Sequence, residues 1–243
     1  MMYSPGNSAK QWILHDIEGS LGYEPVRILD LACGTAWIWE KFIKTYPNVH
    51  VVGIDTDADA IAEAKKTYEG APNMDLHVFD AQTKRSGIPI SNFHFPISTF
   101  DIVTALSAIE HVVDRESFLK TVWDALKPGA RAYLNYDAGH FRSRRMKERI
   151  MVPVSQALAA FGFERFYMKR VDDAEFLAMA EKRGFRLVTV RKHNLHPLKG
   201  FMKHASMEAV EAWYAFEERL GSLYTPDELD RIMWSTTVVL EKP

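Results

Sequence analysis

Residues Val26 to Asp55 read VRILDLACGTAWIWEKFIKTYPNVHVVGID. Val26–Leu31 is a short apolar run with turn-prone ends, which fits a central parallel strand covered on both faces. A turn of small residues follows, Ala32-Cys33-Gly34-Thr35-Ala36. Ile38, Phe42 and Tyr46 then recur at i, i+4 and i+8, the spacing of one helix face, and Pro47 ends that helix. Val49–Ile54 is a second apolar run, and it stops at a carboxylate, Asp55. Strand, turn, helix and strand in this order make a βαβ unit with parallel strands.

The alternation extends outward on both sides. Toward the N-terminus, Ser4-Pro5 reads as a helix start, and Trp12, Ile13, Ile17 and Leu21 share one face before Gly22, giving a helix over 4–22. Toward the C-terminus, a helix over 57–68 with Asp57 as N-cap leads to a strand at 75–79 closed by Asp80. A turn-rich stretch precedes a strand at 100–106. Asp114 caps a helix that ends at Lys127-Pro128-Gly129, and a fifth strand covers 131–136. The pattern breaks over 138–170, read as a helical insertion. It resumes with a helix begun by the Asp172/Glu175 capping pair and ended at Gly184, then a strand at 185–190. Residues 191–204 read as loop, 207–220 as a long helix, a short helix follows Pro226, and 234–240 form the last strand. One of the last two strands is expected to run antiparallel, at the sheet edge. The fold class is therefore α/β, a Rossmann-like, mostly parallel sheet between helical layers.

Composition bounds the rest. At 243 residues the chain fits a single α/β domain with an insertion. A net charge of −2 gives no global attraction to nucleic acid or anionic membranes. No apolar run reaches the roughly 20 residues that span a bilayer, and MMYSPGNSAK carries no basic-then-apolar signal pattern. The only cysteine is Cys33, which removes an internal disulfide framework and suits a reducing cytoplasm. Cys33 itself reads as a small turn residue.

Open parallel sheets bind ligands outside the carboxyl ends of their strands. Acids or small turns fall at those ends here: Asp30 to Ala36, Asp55, Asp80, Leu106 to His111, and Tyr136 to His140. Asp55 is placed to take both hydroxyls of a ribose, and Asp80 to accept from an adenine amine. A dinucleotide needs a G-x-G-x-x-G phosphate cradle. This turn has one glycine, Gly34, and an anion, Asp30, just before it. Both features disfavour a pyrophosphate and favour a cofactor with an ammonium group, such as S-adenosylmethionine. Each acid has a plainer reading: Asp30 as a cap on turn amides, Asp55 as a helix N-cap, Asp80 as a turn residue.

LDLACGTA, VVGID, Phe79–Ala81, FDIVTALSAIEHV and LKPGARAYLN, in this order, resemble the successive motifs of the class I S-adenosylmethionine-dependent methyltransferases. The resemblance covers roughly 26–135, with one departure, Ala36 where many members carry glycine. It implies a seven-stranded sheet with the last strand antiparallel. It also implies Asp30, Ala32 and Gly34 by the methionine moiety, Asp55 and Thr56 on the ribose, Asp80 and Ala81 at the adenine, and Leu106 and Ser107 beside the cofactor.

A hydroxyl or amine acceptor gains from a base that takes its proton. His111 and His140 follow the fourth and fifth strands and are the candidates, His140 preferred because it opens the insertion. The cationic run that includes Arg142 and Arg145 reads either as a solvated helix face or as an anion site for substrate. His193 and His196 stand in a stretch read as loop without a supporting ligand cluster, so no metal is expected. The expected partner is a small-molecule methyl acceptor. An RNA methyltransferase and a non-catalytic cofactor-binding module are the alternatives.

Overall fold

The computed structural model of the protein describes residues 7–81, 98–138, 141, 146–160, 167–195 and 205–243. The chain contributes β1 (Val26–Leu31), β2 (Val49–Asp55), β3 (Met74–Val78), β4 (Phe100–Ala105), β5 (Leu126–Asp137), β6 (Arg186–Leu195) and β7 (Met233–Glu241) to one sheet. Their order across it is β3-β2-β1-β4-β5-β7-β6. The first five strands run parallel, and β7 runs antiparallel to both its neighbours. The antiparallel strand thus lies inside the sheet, where sequence alone put it at the edge. β7 is buried along nearly its whole length, and an inserted position pairs both of its backbone edges.

Helices cover both faces. α1 (Asn7–Ser20), α2 (Trp39–Thr45) and α3 (Ala58–Thr67) pack Ile13, Ile17, Trp39, Phe42 and Ile61 against Ile28, Val51 and Tyr133. On the opposite face, α4 (Arg115–Ala125) and α6 (Asp173–Arg183) pack Phe118, Leu119, Val122 and Phe176 against Leu29, Leu31 and Val103. Alternate residues of β1 therefore feed two cores, the period-2 consequence of a strand buried on both sides. Each large side chain so buried contributes about 1.5–3 kcal/mol. α5 (Met146–Ala160) lies between β5 and α6, within the stretch expected to be a helical insertion, and carries Pro153.

The expected caps are made. Asp57 accepts from the amides of Asp59 and Ala60, Asp114 from Ser117, and Asp172 from Glu175. β6 departs from expectation by running on to Leu195. Arg191-Lys192-His193-Asn194 read as loop because it is polar, yet Lys192, His193 and Asn194 are buried. Lys192 Nζ is satisfied by Asp173 (2.5 Å), Asp230 (2.9 Å) and the Thr236 hydroxyl (3.0 Å). α7 (Met207–Leu223) packs on this strand, and α8 (Pro226–Leu229) leads into β7.

Candidate cofactor crevice

From β1 the chain passes to β2 and β3 on one side and to β4 and β5 on the other, so strand order reverses beside β1. A crevice opens at such a switch point. The turn after β1 has Ala32, Gly34 and Ala36 all in left-handed conformation, at φ of 56°, 56° and 54°. For the two alanines this costs about 1–2 kcal/mol each. The turn is held by hydrogen bonds from Cys33 N to Ile54 O (3.0 Å), Ala36 N to Cys33 O (2.9 Å) and the Tyr68 hydroxyl to Ala36 O (2.5 Å). These bonds explain how alanine stands at position 36. A Cβ on Gly34 would meet no protein atom within 4 Å, so that backbone faces open space. A Cβ on Gly53 would fall 2.9 Å from both Cys33 Sγ and Leu76 Cδ2, so the glycine in β2 is what lets the turn seat. Burial, with the charges of Asp30 and Asp55, pushes the Cys33 thiol up, and it stays protonated as a packing group.

Asp30 caps no turn amide among the described residues. Its carboxylate is buried behind the turn, with Oδ2 accepting from Trp39 Nε1 and Oδ1 from Thr104 Oγ1, both at 2.7 Å. Burial raises its pKa to about 6 in spite of these donors. Asp55 stands at the end of β2 with Oδ2 accepting from Gly34 N at 2.7 Å and Oδ1 from Asp57 N at 2.8 Å. The crevice beside it is lined by Ala32, Asp55, Thr56, Phe79, Asp80, Ala81, His111 and Val112. Five of the positions expected around the cofactor are thus brought together, with an apolar wall.

Leu106 packs into the core on the α1 side, and Ser107, at φ 56°, turns the chain out of β4. The Ser107 amide and hydroxyl both donate to Asn135 Oδ1, at 3.2 and 3.3 Å. Asn135 Nδ2 donates to Ser235 Oγ, Thr236 O and Thr237 Oγ1. This fully buried amide ties the end of β4 to β5 and β7. It escaped notice in the sequence, although a lone amide inside an apolar strand was the available signal.

After Ser107, a 3-10 turn over Ile109–His111 grips the stretch that follows α5. His111 Nδ1 donates to Tyr167 O (3.0 Å), Lys169 N to Glu110 O (2.9 Å), and Arg115 Nη2 to Lys169 O (2.7 Å). Glu110 Oε1 accepts from Asp137 N at 3.2 Å, while Oε2 is buried without a partner among the described residues. Burial raises the Glu110 pKa to about 8. Lys10 on α1 faces this corner. It lies over the Trp37 ring at 5.2 Å, and the nearest charges it feels are Asp30 and Glu110. No described residue forms an ion pair with it. His140, Arg142 and Arg145 lie outside the described residues, as does His196. His193 lies buried on β6, away from the crevice. Among the described residues no group of His, Cys, Asp and Glu is arranged to hold a metal ion, and no helix is long and apolar enough to cross a membrane.

Residues 29–132 match a family model described as a methyltransferase domain. The ubiquinone/menaquinone biosynthesis C-methyltransferase of Geobacter sulfurreducens is 27% identical over 73% of this chain and 71% of that protein. The ubiquinone biosynthesis O-methyltransferase of a Bradyrhizobium species is 33% identical, over 43% of this chain but only 37% of its own length. Phosphoethanolamine N-methyltransferase 2 of Haemonchus contortus, solved in complex with phosphomonomethylethanolamine and S-adenosylhomocysteine, shares the fold. The TM-score is 0.61 at 17% identity, over 99% of this chain and 54% of that one. The family model over 29–132 and the shared fold agree in making the chain similar to the class I S-adenosylmethionine-dependent methyltransferases.

Proposed function

We propose that the protein transfers the methyl group of S-adenosylmethionine to an oxygen or nitrogen nucleophile of a small molecule. The observation that carries this is the meeting of Asp55, Asp80 and the Ala32 backbone in one crevice with apolar walls. Each Asp55 oxygen keeps a lone-pair direction for a ribose hydroxyl beyond the amide it already accepts. Asp80 and Ala81 serve the adenine, with Phe79 and Val112 as apolar contacts. The exposed backbone at Gly34 and the charge of Asp30 suit an ammonium group. Lys10 is the cation that suits the carboxylate of the same amino-acid tail.

S-adenosylmethionine, when bound, supplies a methyl already activated by its sulfonium, so positioning the nucleophile supplies much of the rate. His111 fastens the segment after α5 over the rim and stands at the crevice edge. His140 is the proposed base, and Arg142 and Arg145 the proposed anion contacts to the acceptor. The test is to incubate the protein with S-adenosylmethionine and a panel of phenols and amines, measuring S-adenosylhomocysteine release and acceptor methylation. Turnover with a small acceptor supports the proposal. Turnover only with bulk RNA, or with no acceptor at all, would refute it.

A further inference from the structure

A second cavity, which shares no lining residue with the cofactor crevice, lies between α1, the end of β6, and α7. β6 is four strands removed from β1 in the sheet, about 19 Å at the usual strand spacing. Two of the residues that line it carry a buried polar atom with no hydrogen-bond partner among the described residues, Ser8 Oγ and His193 Nε2. Buried polar groups are nearly always satisfied, so a pair left open on one cavity points to a missing partner.

The surrounding charges say what that partner is. Glu217 contributes its carboxylate to the cavity wall, but Oε1 already accepts from Leu195 N (2.8 Å) and Trp213 Nε1 (3.0 Å), and Oε2 from Asn194 N (3.4 Å). Those bonds also hold Asn194 at φ 72°, so the end of β6 is bent where His193 meets the cavity. Lys192 is neutralised by Asp173 and Asp230. Arg191 remains. Its guanidinium lies over the Trp12 ring at 4.9 Å and forms no ion pair with a described residue. A Cβ on Gly221 would come within 3.1 Å of its Nη2, so α7 keeps that face bare for the guanidinium. Burial and the Arg191 charge push His193 down to about 3, so the ring is neutral with one N–H to give. Beside the Glu217 and Glu218 carboxylates the lining offers three donors, a guanidinium, a hydroxyl and an imidazole, with the rings of Trp12 and Tyr214 as flat walls.

We infer that this cavity binds a small planar carboxylate, with the carboxylate on Arg191, Ser8 and His193 and its apolar body between Trp12 and Tyr214, at a site separate from the cofactor crevice. The inference stands independently of the methyl acceptor, since it uses none of the crevice residues.

Benzoate is the probe, with benzylamine as its cationic counterpart. Calorimetry on the full chain, alone and saturated with S-adenosylhomocysteine, should show saturable benzoate binding of similar affinity in both cases and none for benzylamine. Arg191→Gln should weaken benzoate about tenfold or more and leave S-adenosylhomocysteine affinity unchanged. Ser8→Ala should also weaken benzoate, yet raise the unfolding midpoint of the free protein, because it deletes a buried unpaired hydroxyl. A purely structural Ser8 would not move the two readouts in opposite directions. The inference is overturned if benzoate does not saturate protein that still binds S-adenosylhomocysteine, or if benzylamine binds equally well. Unaltered benzoate affinity in Arg191→Gln, or displacement of benzoate by S-adenosylhomocysteine, would also overturn it. Failure to bind S-adenosylhomocysteine would instead count against the methyltransferase proposal.

Discussion

The backbone amide of Gly34 donates to Asp55 Oδ2 at 2.7 Å, closing the turn after β1 onto the carboxylate at the end of β2. Asp55 Oδ1 accepts from the Asp57 amide at 2.8 Å. One side chain thus shapes the turn, holds the amide of the Asp57 N-cap and still offers an acceptor direction on each oxygen. Asp55 is not the helix N-cap, a place that Asp57 takes; its bracing of the turn and its reading as a ribose ligand are compatible, because different lone pairs serve them.

Lys10 tests the amino-acid end of the proposed cofactor site. Lys10→Met removes the cation facing the turn and leaves Asp30 and Gly34 in place. Affinity for S-adenosylmethionine should fall about tenfold, as for the loss of one charge-assisted hydrogen bond. Affinity for decarboxylated S-adenosylmethionine, which lacks the anion, should barely change. Equal losses for both ligands in calorimetry would remove Lys10 from this role.

Asn135 is the buried junction of β4, β5 and β7. Asn135→Ala strands the Ser107 amide and hydroxyl together with the groups on β7 that its amide now satisfies. Urea unfolding should show a loss of about 2–4 kcal/mol. A loss under about 0.5 kcal/mol would mean that water replaces the amide readily.

Glu110 and Asp30 give stability a definite pH sign. Both carboxyls have folded-state pKa values raised by burial, to about 8 and about 6. An acid with a raised pKa holds its proton more tightly when folded, so its contribution is complete below the unfolded value and is lost as pH rises through the folded one. Below about pH 6.5 the lowered pKa of His193 works in the opposite direction, so the decline should be clearest between about pH 6.5 and 8, where Glu110 alone is responsible. Glu110→Gln, which keeps the shape of the protonated acid, should flatten the decline between pH 6 and 8. An unchanged slope in denaturant titrations across that window would show that Glu110 is ionised in the fold.

Much of this was legible in the chain. Apolar runs that end at Asp30, Asp55 and Asp80 mark strand ends by a change of chemistry, and the caps at Asp57, Asp114 and Asp172 are local hydrogen bonds that need only a few residues to specify. What escaped depends on distant partners. The polar end of β6 looks like loop until Asp173, Asp230 and Glu217 arrive to satisfy it. The inserted place of β7 rests on pairing with strands on both sides. Lys10 gains its meaning only when α1 packs it across from Asp30 and Glu110, which lie 20 and 100 residues further along the chain. Within the candidate site, the strand-end acids could be named in advance, while the groups that brace them could not.

The most direct test is titration of S-adenosylmethionine into wild type and Asp55→Ala by calorimetry. Loss of the paired ribose hydrogen bonds should weaken binding by about 1.5–3 kcal/mol, tenfold or more, with wild type binding one equivalent. Unchanged affinity in the variant, or no binding to wild type, would contradict the placement of the cofactor in this crevice.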